Sequence, residues 1–549
     1  MMKALTYLMA VSLVFALTAC GFGDNNIDID ENKSQLWVAN YNGGVGEVWL
    51  DTLIERFEEA YKDYEFEPNS GKKGVQVIPD HHQRYRDTAN FHTLKFDNNH
   101  IYFTEAVNVN ELAGMGLLLN LNDIMNKTLN GESKTIEEKL YGQHVSGLTA
   151  LDGNYYALPH YSLFNGINYN IDLFDDYGFY ILDGYGENVD FIGSNGKKSA
   201  GPDGIYNTQD DGLPATYDEF FALLDFMVEV GVKPFVWSGQ HREYSNFLFN
   251  TLVWNQLGRE STEYFITYDS KDKTVPIVTG FNGNTPIVEE KSITPQTGYL
   301  LKQHVGIYEV LSFVEQINER SGRYVSDVSF YDTSSYTEIQ SDFIYSSLPE
   351  SGDTPIAMMI EGTYWINEAR NIFKNSGVPA NERRFGFMPV PTGNTNVNNE
   401  FVAADTYNSY AFINKNIEND PNIVKLATEF LMFAYSDQSL QEFTTITDIP
   451  KAVRYELTAT QISGLSAYGQ SIWDIASKGN IIFNIGSTPL FIRHQNDLGL
   501  NNFFAADSIG YYIPMQAFRA GTPVSAKKYF EGMARTEQEW LYDYGDSIN

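Results

Sequence analysis

The most specific internal motif is GPDGIYNTQDDG, residues 201–212, in which Asp203, Asn207, Asp210 and Asp211 lie within nine positions. Gly204 and Gly212 permit tight turns around them. Calcium takes six to eight oxygen ligands from carboxylates, amides and carbonyls, and a loop of this kind can gather several. The spacing is not that of an EF-hand, because D-x-D-x-D-G and the closing Glu are missing. Two readings stand: a structural calcium site whose shell Asp190, Asn195 or Glu219 could complete, and a solvated acidic loop of turn-forming residues.

A second group of candidates is aromatic. Tyr41, Trp237, Tyr364 and Trp365 each lie where an expected strand or its turn gives way to a helix, with Glu105, Gln240, Glu361 and Asp405 in similar positions. Any one ring could simply pack in a core. Together they form the residue set of a sugar cleft, where rings stack on apolar sugar faces and carboxylates and amides hydrogen-bond the hydroxyls. Such partners are required, since an unpaired buried polar group costs about 1–3 kcal/mol. Other chemistry finds little support. His81 and His82 are adjacent, so their side chains diverge, and no further ligand lies at helical spacing. NGGVGEVW lacks both G-x-G-x-x-G and a Lys-Ser/Thr ending, and no G-x-S-x-G occurs.

Composition narrows the partners. The 549 residues carry 71 acidic against 37 basic side chains, a formal charge of −34. That balance argues against nucleic acid, which demands clustered Lys and Arg, and disfavours an anionic ligand. The 36 Tyr, 36 Phe and 7 Trp suit large packed cores, and the single cysteine, Cys20, rules out an internal disulfide. Cys20 closes the stretch MMKALTYLMAVSLVFALTAC. Lys3, the apolar run Leu5 to Ala19 and the small residues before Cys20 have the order of a secretory signal peptide. The run is shorter than the roughly 20 residues of a spanning helix. LTAC resembles the lipobox of bacterial lipoproteins, whose cysteine is acylated and becomes the first residue. Two or three acyl chains hold a protein stably at a membrane, each buried methylene contributing about 0.8 kcal/mol. The alternative, a buried N-terminal helix, fits poorly with the acidic stretch GFGDNNIDIDENKS that follows and that reads as a solvated tether.

These residues must be positioned by alternating strands and helices. QLWVANYNGGVGEVWLDTLIERFEEAYKDY predicts a strand, a glycine-rich turn and an amphipathic helix burying Val48, Leu50, Leu53, Ile54 and Phe57. Residues 74–80 and 100–107 predict further strands, GINYN another, and Thr216 with Glu219 a capping box opening a helix. Residues 233–239 predict a strand and 243–258 a buried helix; 355–373 predict strand, turn and helix, and 385–393 a strand. Residues 183–214 form a Gly, Asp and Asn-rich insert, and 260–297 a polar excursion. The alternation implies a largely parallel sheet with helices on both faces, ligands sitting at the carboxyl ends of strands near Tyr41 and Glu105.

Five segments then fall in a familiar order. LWVANYNGGVGEVWLDTLIERFEE is followed by LPHYSLFNGINYNIDLFDDYG, LPATYDEFFALLDFM, AMMIEGTYWINEA and FGFMPVPTG. With the lipobox, the chain resembles the extracellular solute-binding lipoproteins of bacterial carbohydrate ABC transporters, in the branch related to maltodextrin-binding proteins (family 1 solute-binding proteins). The resemblance implies an α/β two-lobe periplasmic-binding-protein-like fold (type II), with hinge-linked lobes closing over a ligand cleft. It implies a signal peptide (1–19), a lipidated tether (20–34), a first lobe (35–158, with a return segment at about 400–450) and a second lobe (159–399). Residues 451–549 would complete the second lobe or the cleft. By position, Tyr364 matches the family's stacking aromatic, Tyr41 and Glu105 the first lobe's ligand-facing strand ends, and Trp237 a second-lobe aromatic. Asp405 and Tyr407 precede the return to the first lobe, and the 201–212 loop is similar to calcium loops of some members.

The function implied is capture of a mono- or oligosaccharide outside the cytoplasm by a monomeric, membrane-anchored receptor that delivers it to permease subunits. No covalent chemistry and no organic cofactor are implied beyond structural calcium. The alternatives are a surface glycoside hydrolase, which needs two carboxylates roughly 5–10 Å apart flanking a cleft, and a surface adhesin.

Overall fold

A computed structural model describes residues 28–548, apart from 82–93, 394–400 and short breaks at 130, 194–195, 242, 320, 349, 379–381, 479, 502 and 520–521. The signal peptide and Cys20, together with His82 and Asn195, lie outside the described residues.

Two sheets organise the molecule. The first has the order β2-β1-β3-β12-β4, with β1 at Ser34–Asn40, β2 at Val75–His81, β3 at Ile101–Thr104, β4 at Leu158–Pro159 and β12 at Tyr410–Ile413. The second has the order β10-β5-β9-β6, with β5 at Asn165–Asn170, β6 at Lys233–Val236, β9 at Ile356–Gly362 and β10 at Phe385–Met388. The sheets are mixed rather than largely parallel. β1 runs parallel to β2 and β3, and β6 to β9, but β12 and β4 join antiparallel, as do β10, β5 and β9. In each sheet the strand that the chain enters from the other sheet, β12 in the first and β5 in the second, lies inside the sheet and runs opposite to both neighbours, because such an entry does not fix direction as a βαβ crossover does.

Local chemistry accounts for the elements. In helix Val48–Ala60, Trp49, Leu50, Leu53, Ile54 and Phe57 are buried at spacings of one, three and four. Val48, expected inward, is half exposed, and Trp49 takes its place against Phe103, its Nε1 donating to the Gly46 carbonyl at 3.2 Å. Helix Tyr217–Glu229 opens on the expected box: Thr216 Oγ1 accepts from the Glu219 N–H at 3.2 Å, and Glu219 Oε2 accepts from the Thr216 N–H at 3.1 Å.

The 260–297 stretch begins inside helix Glu243–Thr267, which bends at Gly258 (φ 73°). It continues as a hairpin of β7 (Val275–Asn282) and β8 (Thr285–Lys291). Beyond residue 451, helix Ala467–Ser477 packs on β10, Ser471 Oγ accepting from the Phe387 N–H at 2.9 Å. Phe503, Phe504, Tyr529 and Trp540 then enter the same hydrophobic core as Phe220, Trp254 and Phe313 of the second lobe. The chain from Leu490 onward thus adds to that core, whereas Ala452, Val453, Tyr468 and Ile472 belong to the core that holds Leu36 and Phe57. Among the described residues no helix is long and apolar enough to cross a membrane.

Two stretches of chain lead from one sheet to the other, residues 160–164 between β4 and β5 and the stretch between β10 and β12. Beside the first, residues 164 and 165 pair with the end of β9, the Thr363 N–H donating to the Phe164 carbonyl at 2.8 Å. Phe164 also bridges Asp405 at the end of β11 (Ala403–Asp405), which runs parallel to β13 (Ile481–Phe483).

Candidate ligand cleft

A cleft of about 900 Å³ opens where these segments cross. Tyr41 and Glu105, at the ends of β1 and β3, form its first-lobe wall, Asn165 and Tyr407 come from the crossings, and Tyr364 follows β9. The first turns of helix Glu243–Thr267 supply Tyr244, Asn246 and Asn250, and the C-terminal region supplies Asn496, Asn501, Tyr512 and Arg535.

Glycines let two of the tyrosines fold back on the backbone. A Cβ on Gly43 would lie 2.2 Å from the Tyr41 hydroxyl oxygen, and one on Gly362 would lie 2.1 Å from Tyr364 Cε1. Each ring therefore occupies space that any other residue would fill. The Tyr364 and Tyr407 hydroxyls meet at 2.9 Å. Tyr407 is held by its N–H, which donates to Asp405 Oδ1 at 3.2 Å, and by its carbonyl, which accepts from the Ala106 N–H at 2.9 Å. Ala106 adopts φ 58°, a conformation unfavourable for a residue with a Cβ, beside the cleft carboxylate of Glu105. Tyr161 fixes that carboxylate, its hydroxyl donating to Glu105 Oε2 at 3.0 Å.

Burial sets the charge of the inner groups. Asp405 has its carboxyl pushed up to about 8, chiefly by burial and further by Glu105, against N–H donors from Tyr407, Leu163 and Asn408. Burial, then the Glu368 charge, raises Glu361 well above the carboxylate range, although the Gly362 N–H and the Tyr364 and Tyr244 hydroxyls bond to it. Burial lowers Lys302 to about 8. Carboxylates dominate the lining, with Glu105, Glu243, Glu368, Asp497, Asp507 and Asp543 against Lys302 and Arg535.

Two buried acceptors in the cleft stand out. Asn165 Oδ1 and Asn246 Oδ1 have no hydrogen-bond partner among the described residues, although the two residues are only 7% and 8% exposed. A buried amide oxygen left so costs about 1–3 kcal/mol unless a donor arrives.

Of the residues expected from sequence, Tyr41, Glu105, Tyr364 and Tyr407 come together here. Asp405 and Glu361 stand behind the lining. Trp365 is fully buried against Phe343, Phe385 and Tyr468, because residues adjacent in sequence point apart and Tyr364 takes the cleft side. Trp237 packs edge-on to Phe330 in the second-lobe core, and Gln240 is exposed outside the cleft. Sequence reasoning missed Asn246 and Asn250, whose one-turn spacing on a largely buried helix was the available signal. It also missed the C-terminal side chains, which carried no local signal.

The acidic loop closes largely on itself. Asp211 accepts from the Asn207 N–H at 2.9 Å, with Asn207 at φ 65°. Asp203, Asp210 and Asp474 each bring a carboxylate oxygen within 4.8 Å of the others, a donor set that fits a hard cation. Asp474 comes from helix Ala467–Ser477 and was not among the expected ligands. Glu219 is taken up in its capping box and Asp190 by the Phe191 N–H. The Lys478 ammonium already bridges Asp203 at 2.8 Å and Asp474 at 2.7 Å. Burial pushes Asp210 up to about 6.

Two mixed α/β lobes joined by crossing segments, with a polar and aromatic cleft at the crossings, define the two-lobe fold of solute-binding proteins. Solved structures with this architecture include a chitin oligosaccharide binding protein, similar over 93% of this chain and 100% of its own at 16% identity and a TM-score of 0.52. The cyclic alpha-maltosyl-1,6-maltose binding protein from Arthrobacter globiformis is similar over 93% and 100%, at 15% identity and a TM-score of 0.54. RafE in complex with raffinose is similar over 92% and 100%, at 14% and 0.51. At these identities the likeness is one of fold. No protein-family model and no curated protein sequence matches the chain.

Proposed function

We propose that this protein is a carbohydrate receptor that holds a mono- or oligosaccharide between its lobes and delivers it to the permease of an ABC transporter. The observation that carries this reading is the pair of buried, unpartnered amide oxygens, Asn165 Oδ1 and Asn246 Oδ1, in a cleft lined by Tyr41, Tyr244, Tyr364 and Tyr407. Sugar hydroxyls donate to such acceptors while the rings cover the apolar sugar face. The excess of carboxylates favours a neutral or cationic sugar over an anionic one. Three solved proteins of this fold have names that state chitin oligosaccharide, raffinose and a cyclic maltosyl-maltose as ligands, which agrees with the reading. Function on this view is a ligand-driven shift from open to closed lobes, with no covalent step.

The receptor works outside the cytoplasm as a monomer, anchored by lipid on Cys20, with residues 20–34 as the tether beside the permease. Calcium binds structurally at the Asp203 loop, with Asp210 and Asp474 as further carboxylates, and displaces the Lys478 ammonium.

Isothermal titration against a panel of neutral sugars tests the assignment. Saturable binding accompanied by compaction in solution scattering is expected. Silence across the panel, with tight binding of peptides instead, overturns it, and release of reducing ends from a polysaccharide favours the hydrolase.

A further inference from the structure

A second cavity of about 520 Å³ adjoins the cleft on the C-terminal region, and the two share Asp507, Arg535 and Asp543 in their linings. The seam between them is an ion pair: the Arg535 guanidinium donates to Asp543 Oδ2 and also, at 3.2 Å, to the Tyr544 hydroxyl. The two cavities thus lie on either side of this pair, the second bordered by helix Glu537–Ile548.

Two tyrosines along these cavities expose their rings. Tyr512, lining the main cleft, is 67% exposed, and Tyr542, lining the second cavity, is 89% exposed. A single exposed aromatic is ordinary on a protein surface. Here each borders one of two cavities that share the Asp507, Arg535 and Asp543 wall. The inner face of the helix is already satisfied by Trp540, buried against Tyr268, with its Nε1 donating to the Pro295 carbonyl at 2.8 Å. Tyr542 is therefore not needed to hold the helix in place.

We propose that the second cavity is an accessory sugar subsite. The ligand is an oligosaccharide whose inner units lie between the lobes and whose far end crosses the Arg535–Asp543 seam to stack on Tyr542. This rests on the carbohydrate reading above and names its substrate class. Ring faces provide stacking surface, while Asp507, Gln538 and the seam pair provide partners for hydroxyls.

The test is calorimetric titration of the full chain with two neutral ladders, α-1,4-linked glucose and β-1,4-linked N-acetylglucosamine, each from disaccharide to hexasaccharide. Affinity is expected to rise with length in at least one ladder. Tyr542→Ala should remove about three- to tenfold at the long end, the loss growing with length, and Tyr542→Phe should restore it. Binding of short members with no gain on lengthening overturns the subsite and leaves the receptor reading standing. A Tyr542→Ala loss equal at every length, or none at any, also overturns it. Silence of both ladders at every length overturns the subsite, and the receptor reading falls with it only where the wider panel of neutral sugars is silent too.

Discussion

Tyr364 and Tyr407 meet hydroxyl to hydroxyl at 2.9 Å, with ring centroids 5.5 Å apart and planes at 87°. One follows β9 of the second sheet and the other β11, on the way back to the first, so the pair ties the end of β9 to a crossing segment at the cleft lining. Tyr364→Phe breaks the hydroxyl contact but keeps the ring, and sugar affinity is expected to fall roughly three- to tenfold. Tyr364→Ala removes the ring as well and should cost more. Wild-type affinity in both variants, measured by calorimetry, would remove Tyr364 from the binding surface.

The absence of a side chain at Gly362 is as important as the ring it accommodates. With a Cβ placed 2.1 Å from Tyr364 Cε1, Gly362→Ala must displace that ring or the strand end. Loss of affinity comparable to that of Tyr364→Ala is expected, with a lower melting temperature. Unchanged affinity would show that the ring position is unimportant for binding.

Asn246 carries an opposite signature. Its Oδ1 has no partner among the described residues, and its Nδ2 makes only a 3.4 Å contact to Asn250 Oδ1. Asn246→Ala should therefore weaken sugar binding about five- to thirtyfold while the ligand-free melting temperature holds or rises. A large drop in ligand-free stability with intact affinity would make Asn246 a packing residue instead.

Asp405 makes stability pH-dependent. Burial raises its carboxyl from the ordinary 3.8 to about 8, so between these values the folded protein retains a proton that the unfolded chain has lost. Its contribution is fully present below about pH 4 and is lost as pH rises through about 8. Asp405→Asn preserves the neutral form, and its melting temperature should decline less steeply than wild type over that window. Parallel slopes for the two proteins would contradict the assignment.

Calcium should raise the melting temperature, and a chelator should reverse the rise. Asp203→Ala and Asp474→Ala are each expected to diminish the shift, and Lys478→Met, which removes the competing ammonium, to move it to lower calcium concentration. An undiminished shift in Asp203→Ala excludes the loop.

The residues legible in the sequence were those whose placement follows from local rules. Thr216 and Glu219 cap a helix because the capping box is a three-residue relationship, and Leu50, Leu53, Ile54 and Phe57 turn inward because helical periodicity places them on one stripe. Tyr41 and Glu105 reach the cleft because strand ends in α/β sheets open into the crevice. Neighbouring residues proved harder: Tyr364 enters the cleft and Trp365 the core, a choice made by the space left over Gly362 and by the ring cluster of Phe343, Phe385 and Tyr468. Only the tertiary structure decided which distant groups meet. Asp474 joins Asp203 and Asp210, and Arg535 and Asp543 join a cleft begun at Tyr41, because the C-terminal region packs its aromatics into the second-lobe core. Periodicity and capping specify elements from neighbours in sequence. Contacts across hundreds of residues are settled by which apolar faces must cover one another, and no local pattern records that outcome.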